Sequence, residues 1–555
     1  MQLHQKNPAA GYEQVALHAN ERARARSLLE VLSESRADIR QGVPQELLML
    51  ERSLEQQINA KAAARATVLN SKGRESEAAY FDKDIAALTD RLREVEARIR
   101  QQSPRYAALT QPEPLTAARI QQQLDDGTVL LEFALGERRS WLWAVTRESL
   151  NSYELASGGE IEGSARKVYE LLTARQPMTG ESEAHYRARV GEADAKYQTE
   201  SGALSQMLLG QIAGKLQQEW KDKRLAIVAP GALEYLPFAA LPAPVTGPDR
   251  QFVIPDPKLM RPLIIQHEIV NLPSASALAA IRDETTGRQQ ADKTVAVVAD
   301  PVFEVTDPRV ANAIRGAANR GVAAAVHPRG EARDSAEPQA SSTLKSDLVR
   351  SLRSFSFNNN RGGFSRLPFS REEAEGISLL VPKNALMKAT DFQANRANAT
   401  SGELGHYRIV HFATHGLLNA ERPELSGLVL SLVDETGEPQ DGFLRMYEIY
   451  NLRLPADLVV LSACQTALGK EIKGEGLVGL TRGFMYAGAQ RVVASLWQVD
   501  DLATAQLMKS FYLGMLKERL RPARALRLAQ LEMLKQQRWS SPYFWAPFVI
   551  QGEWR

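Results

Sequence analysis

Cysteine is almost absent: the 555 residues contain one, Cys464. No intrachain disulfide framework can form, and such thiol usage points to a reducing compartment, with the cytoplasm as default. Long apolar runs are missing as well. The nearest approach, Leu225 to Val245, is broken by Pro230, Gly231, Glu234 and Pro237, so nothing reaches the roughly 18 apolar residues of a membrane-spanning helix. The opening Met1-Gln-Leu-His-Gln-Lys-Asn-Pro8 has no apolar stretch of the kind a secretory signal carries. Neither sign of charge dominates, since 68 Lys+Arg face 66 Asp+Glu for a net +2, and no global field draws the chain to nucleic acid or a membrane surface. A GxxxxGK phosphate loop, HExxH, GxSxG and paired CxxC motifs are all missing; Gly469-Lys470 lacks the upstream glycine. No cofactor is implied.

What is present is enough for two to four domains of a soluble globular protein, with 44% hydrophobic residues to build their cores. Residues 1–117 read as helix. Ala25, Leu28, Leu29 and Leu32 form one stripe, Leu47, Leu50, Leu54 and Ile58 a second, and Phe81, Ile85, Leu88, Leu92, Val95 and Ile99 a heptad seam. Asn70-Ser-Lys-Gly73 supplies a turn between the last two, which predicts an antiparallel helical hairpin. The region serves either as a plain structural helix pair or as a surface for a regulatory protein partner.

From residue 118 to 555 the pattern becomes α/β, with halves at 118–290 and 291–555. Thr128–Leu135 and Ser140–Thr146 flank Gly136 as a strand hairpin, with Asn151–Leu155 as a third strand. Helical segments around Ile161–Ala174 and Gly202–Trp220 follow, then the buried strands Arg224–Ala229 and Thr294–Ala299. Residues 303–366, rich in alanine, arginine, serine and asparagine and weak in periodicity, read as a surface insertion with partial disorder. Beyond it strand and helix alternate: helix Ser370–Leu380, strand Arg408–Thr414, strand Asp457–Cys464, helix Glu475–Tyr486, strand Arg491–Trp497, helices Leu502–Leu516 and Ala523–Lys535, and a last apolar run Phe544–Ile550. That order predicts a mainly parallel sheet covered by helices.

The chemistry concentrates where two of those strands stop. Arg408–Thr414 runs into His415-Gly416, and roughly 50 residues later Asp457–Ala463 runs into Cys464, the order and spacing of caspase-type thiol proteases. A free cysteine is by default a small buried hydrophobe. Here both residues fall at the carboxyl ends of strands, where open α/β sheets gather their ligands and catalytic groups. A thiol of ordinary pKa is mostly protonated at neutral pH, so His415 is assigned as its base and Cys464 as nucleophile. The backbone N–H groups of Gly416 and Cys464 are the expected oxyanion donors. A zinc site from His406, His411 and His415 fits no ligand spacing, and His411 reads as an interior histidine. No metal is implied.

The strings His411-Phe-Ala-Thr-His-Gly416, Leu461-Ser-Ala-Cys-Gln-Thr466, Gly474-Glu-Gly-Leu477, Ala487-Gly-Ala489, Ala494-Ser-Leu-Trp497 and Pro542-Tyr-Phe-Trp-Ala546 resemble the CHAT domain, with Pro237-Phe-Ala-Ala-Leu241 and Pro273-Ser-Ala-Ser276 as further matches. The resemblance implies a caspase-haemoglobinase fold, kinship with caspases and separases, and cysteine endopeptidase activity on a protein or peptide substrate through His415 and Cys464. It also implies tetratricopeptide-type repeats ahead of the domain, and Ala16-Leu-His-Ala-Asn-Glu-Arg-Ala-Arg-Ala-Arg26 is similar to the last helix of such an array. Cys464-Gln-Thr departs from the caspase pattern. Separases place an acidic residue after a Leu-Trp pair, and Leu496-Trp-Gln-Val-Asp-Asp501 offers Asp500 and Asp501 there. A carboxylate in the primary pocket favours Arg or Lys at the cleavage site; the competing role for either aspartate is to cap the helix from Leu502. The alternative for the whole domain is a non-catalytic interaction scaffold on the same fold.

Overall fold

In the computed structural model the described residues are 1–34 except 8–9, single positions between 44 and 98, 114–246 except 179, 261–319, 364–419, and 426–555 except 463, 469–474 and 499. For 2, 5, 25–34, 317–319, 418–419, 447, 464–468 and 475–478 the backbone alone is described.

The strands, in chain order, are β1 (Thr128–Ala134), β2 (Ser140–Val145), β3 (Leu150–Leu155), β4 (Arg224–Val228), β5 (Ile269–Asn271), β6 (Lys293–Ala299), β7 (Leu386–Thr390), β8 (Tyr407–Ala413), β9 (His415–Asn419), β10 (Gly427–Val429), β11 (Phe443–Arg445), β12 (Leu458–Leu461), β13 (Cys464–Leu468), β14 (Arg491–Ser495) and β15 (Phe548–Gly552). The helices that matter here are α1 (Tyr12–Glu34), α2 (Gly158–Thr173), α3 (Glu183–Leu209), α4 (Ala275–Thr285), α5 (Pro308–Asn319), α6 (Pro368–Ser378), α7 (Glu475–Tyr486), α8 (Asp501–Leu516) and α9 (Pro522–Lys535).

Eleven strands form one sheet in the order β3-β2-β1-β4-β5-β15-β14-β12-β8-β6-β7. The predicted hairpin is there, β1 and β2 pairing antiparallel with β3 at the edge. Inside, two parallel blocks run in opposite directions, β1-β4-β5-β15 and β14-β12-β8-β6-β7, and meet at the antiparallel β14·β15 pair. The central strands read as near-continuous apolar runs because helices cover them: β12 is buried at all four positions, and β8 at every position but Arg408. Phe412, Val459, Val460, Phe484 and Phe511 belong to one core that extends across both blocks. The architecture is the expected α/β class.

Several expectations need correcting. The helix expected at Gly202–Trp220 starts nearly twenty residues earlier, as α3. The charged run at its start hides a burial line through Val190, Ala193, Tyr197, Leu204 and Leu208. Residues 303–319 are not featureless, since α5 occupies part of them; 320–363 lie outside the described residues. In the N-terminal region, Leu54 and Val95 are buried against each other with Leu47, Leu88 and Leu92 around them, and Lys61 Nζ donates to Asp84 at 2.6 Å. Residues rising in number on one side meet residues falling on the other, the antiparallel arrangement expected of the hairpin. The turn Asn70–Gly73, and with it Ile58, Phe81, Ile85 and Ile99, lies outside the described residues.

α1 is fastened to the α/β body by buried polar groups. Glu21 accepts the N–H groups of Ala275 (3.1 Å) and Ser276 (2.7 Å) at the start of α4, Asn20 donates to Glu132 (2.6 Å), and Arg24 donates to the Phe133 carbonyl (2.8 Å). Glu21 and Glu132 are both fully buried. Burial, then the nearby Glu21 charge, pushes the Glu132 carboxyl well above its ordinary range.

Candidate active site

β8 and β12 are neighbours in the large sheet, and each gives way at its carboxyl end to a strand of a second, four-stranded sheet of order β11-β10-β9-β13. His415 and Cys464 therefore do not end the large-sheet strands, as expected, but begin β9 and β13. The switch has a local cause. Thr414 and Ser462 follow the apolar runs and turn their hydroxyls to buried acceptors, Thr414 to the Val429 carbonyl and Ser462 to Glu373 Oε2 at 3.1 Å. Ser462 N–H makes a last bond to the Phe412 carbonyl at 2.9 Å. The small sheet then takes over: β9 and β13 pair in parallel with His415 directly opposite Cys464. Facing positions on neighbouring strands sit about 4.8 Å apart. Gly416 falls between Gln465 on one side and Leu428 on the other.

His415 is 6% exposed. Its ring packs against Phe303 (centroids 5.1 Å) and Phe364 (5.5 Å), in a cluster that Leu417, Val429 and Phe443 complete. Nε2 lies 2.7 Å from the Ser365 carbonyl. A carbonyl only accepts, so Nε2 carries the proton and Nδ1 keeps its lone pair. Nδ1 is buried with no hydrogen-bond partner among the described residues. Burial pulls the imidazole pKa below its ordinary value, with the Ser365 carbonyl acting weakly the other way. The ring is thus held neutral, in one tautomer, as a proton acceptor.

Sequence reasoning missed Phe303, Phe364 and Ser365. The first two lie in the stretch read as an insertion, and Ser365 acts through a backbone carbonyl, which leaves no side-chain pattern. Together with Glu304, Thr306, Asp307, Pro308 and Arg366 they line an open groove of ≈ 580 Å³ beside the histidine.

Behind the site lies a buried polar chain. His411 is fully buried; its Nδ1 lies 2.9 Å from Tyr512 Oη on α8, and its Nε2 lies 3.0 Å from Glu373 Oε1 on α6. Glu373 Oε2 takes the Ser462 hydroxyl, so the chain joins α6, β8, β12 and α8. His411 is therefore the interior residue expected of it, hydrogen-bonded through Nδ1. His406 lies apart from both, on the surface 3.9 Å from Asp292. Removing one partner of a buried polar contact leaves the other unsatisfied, which costs about 1–3 kcal/mol. Glu373→Ala is expected to lose that much in denaturant unfolding, whereas Tyr512→Phe, which deletes one neutral hydrogen bond, loses about 1 kcal/mol.

The two aspartates after Trp497 divide their roles. Asp500 caps α8, its carboxylate accepting the Ala503 N–H at 2.9 Å. Asp501, half-buried in the first turn, has no hydrogen bond or ion pair among the described residues. Burial, then Asp500 and Glu373, push its carboxyl up to about 6.

Comparison with known proteins places most of the chain in one family. The family model described as the CHAT domain matches residues 198–553. A human protein, tetratricopeptide repeat protein 28, is 28% identical over 215 residues, 34% of this chain and 8% of that protein. The mouse protein of the same description is 37% identical over 105 residues, 19% of this chain and 4% of that protein. The matched segment is thus a small fraction of either relative. Among solved structures, the Saccharomyces cerevisiae separase–securin complex aligns over 81% of this chain and 31% of that chain, with TM-score 0.43 and 10% identity. The Arg-specific cysteine proteinase gingipain R aligns over 71% and 74%, with TM-score 0.34 and 10% identity.

Proposed function

The chain belongs to the CHAT domain family, and from that premise we propose that it is a cysteine endopeptidase in which His415 activates Cys464. The observation that carries the reading is the buried Nδ1 of His415, left without a partner among the described residues while Nε2 is held by Ser365, on a strand whose register sets Cys464 directly opposite. A thiol that meets that nitrogen transfers its proton as sulfur attacks a peptide carbonyl. The amine leaves with the proton returned by His415, and water then releases the acyl group from sulfur. The N–H groups of Gly416 and Cys464, at the heads of the two strands, would receive the oxyanion.

Asp501 supplies the preference. A half-buried carboxylate without a cationic partner among the described residues gains most from an Arg or Lys side chain of the substrate. Asp500, committed to capping α8, is left out of that role. The helical region, residues 1–117, is the proposed docking surface for a regulatory protein, acting on the α/β body through α1 and its buried Glu21 contacts.

The test is hydrolysis of arginyl, lysyl and aspartyl fluorogenic peptides by wild type, Cys464→Ala and His415→Ala, with and without candidate activators. Arginyl and lysyl cleavage that both substitutions abolish supports the reading. Activity that survives either one refutes it.

A further inference from the structure

The geometry points to Asp300 as a positioning residue of this site, which through Arg366 fixes the Ser365 carbonyl that orients His415. The inference rests on the assignment of His415 as base.

Asp300 directly follows β6, has a positive φ of 48°, and is 1% exposed. A carboxylate buried this deeply is tolerated only when it is paired, and this one has three guanidinium partners. Arg366 grips it with both arms of its fork, Nε to Oδ1 at 2.9 Å and Nη2 to Oδ2 at 2.7 Å. Arg371 on α6 adds Nε at 2.7 Å, and Arg309 on α5 adds Nη1 at 3.0 Å. Asp391, also at positive φ (54°), takes Arg309 Nη1 at 3.0 Å and Arg371, and its N–H reaches the Asp300 carbonyl at 3.2 Å. The end of β6, the end of β7 and the chain on both sides of residues 320–363 are thus tied to one buried carboxylate.

What this does for the site follows from the planarity of one peptide bond. The carbonyl of Ser365 and the nitrogen of Arg366 share a rigid plane. A two-armed grip on the Arg366 side chain restricts where its backbone lies, and with it the direction of the preceding carbonyl. That carbonyl accepts from His415 Nε2, which leaves Nδ1 as the proton acceptor. Phe364, one residue further back, packs against the ring. Release of Arg366 would free the carbonyl and let the proton sit on either ring nitrogen, with half-committed tautomers and a poorer base.

Alkylation of Cys464 by iodoacetamide, followed in the 555-residue chain from pH 5 to 9, reads this directly because the chain has one thiol. Wild type should react faster than His415→Ala at neutral pH. Arg366→Met and Asp300→Asn should each lose most of that acceleration, by about tenfold or more, with pH profiles that approach that of His415→Ala. Arg366→Lys should restore part of it. The Arg366 side chain is 42% exposed, so its replacement leaves the apolar core untouched, and circular dichroism and thermal unfolding check that it does. A wild-type rate and profile for Arg366→Met, beside a slow His415→Ala, overturns the inference while leaving the base assignment standing. Equal losses in Arg366→Met and Arg366→Lys with early unfolding assign Arg366 to stability alone, which also overturns it. Identical rates in wild type and His415→Ala remove the base assignment itself.

Discussion

Cys464→Ala and His415→Ala are each expected to lower kcat/KM on an arginyl peptide by about a thousandfold or more, and the double substitution hardly further. Non-additivity is the informative part, since two groups that act as one unit lose their shared contribution once. Both single variants should fold. Position 464 lies in a paired strand whose register depends on backbone bonds, and His415 contributes one hydrogen bond and a place among aromatic rings. Steady-state kinetics on the four proteins, with unfolding curves as control, measure the effect. Because burial holds the imidazole pKa below its ordinary value, the base stays neutral under mildly acidic conditions. The acid limb of the wild-type profile should accordingly fall below pH 6.5, the value of an unperturbed histidine.

The second large effect concerns Asp501. Asp501→Asn should reduce kcat/KM for arginyl substrates by about ten- to a hundredfold relative to substrates carrying the neutral isostere citrulline. The pH dependence has a definite sign. Asp501 is a carboxyl whose folded pKa is raised to about 6, first by burial and then by Asp500 and Glu373, so it is protonated below that value and ionised above it. The arginine-to-citrulline ratio of wild type should rise as pH passes upward through about 6, and the Asn variant should show a flat ratio. For stability the sign is opposite. An ionised Asp501 is disfavoured in the folded state, so its contribution declines between its unfolded value near 3.8 and about 6, and Asp501→Asn should stabilise the protein slightly at pH 8. Parallel hydrolysis of the two peptides from pH 5 to 8 settles the matter. Equal ratios in wild type and variant would exclude Asp501 from the primary pocket.

How much of this could be read from residue order depends on how strong a signal each part leaves. Strands such as β1, β2, β6 and β8 announce themselves through near-continuous apolar runs, and α7 begins and ends where its periodicity says. Short strands do not: β5, β10 and β11 have three residues each, too few to show any period. The positions of His415 and Cys464 near the carboxyl ends of adjacent strands were legible. Their place at the start of a second sheet was not, because that switch depends on hydroxyl bonds from Thr414 and Ser462 to groups distant in sequence. Phe303, Phe364 and Ser365 were hidden by their surroundings, since a stretch rich in alanine and arginine masks two aromatic residues that matter at either end of it. The Asp300 clamp was invisible for a different reason: its three arginines and Asp391 come from three separated segments, and only folding brings their charges to one point.

The most direct test of the Cys464–His415 assignment is the intact mass of the 555-residue chain after incubation with an arginyl acyloxymethyl ketone, an electrophile that a catalytic thiol attacks with loss of the acyloxy group. Wild type should gain one adduct, mapped to Cys464, about a hundredfold faster than His415→Ala and several times faster than Asp501→Asn. An adduct that forms at the same rate in wild type and His415→Ala would show an ordinary thiol beside a structural imidazole, and would contradict the peptidase reading.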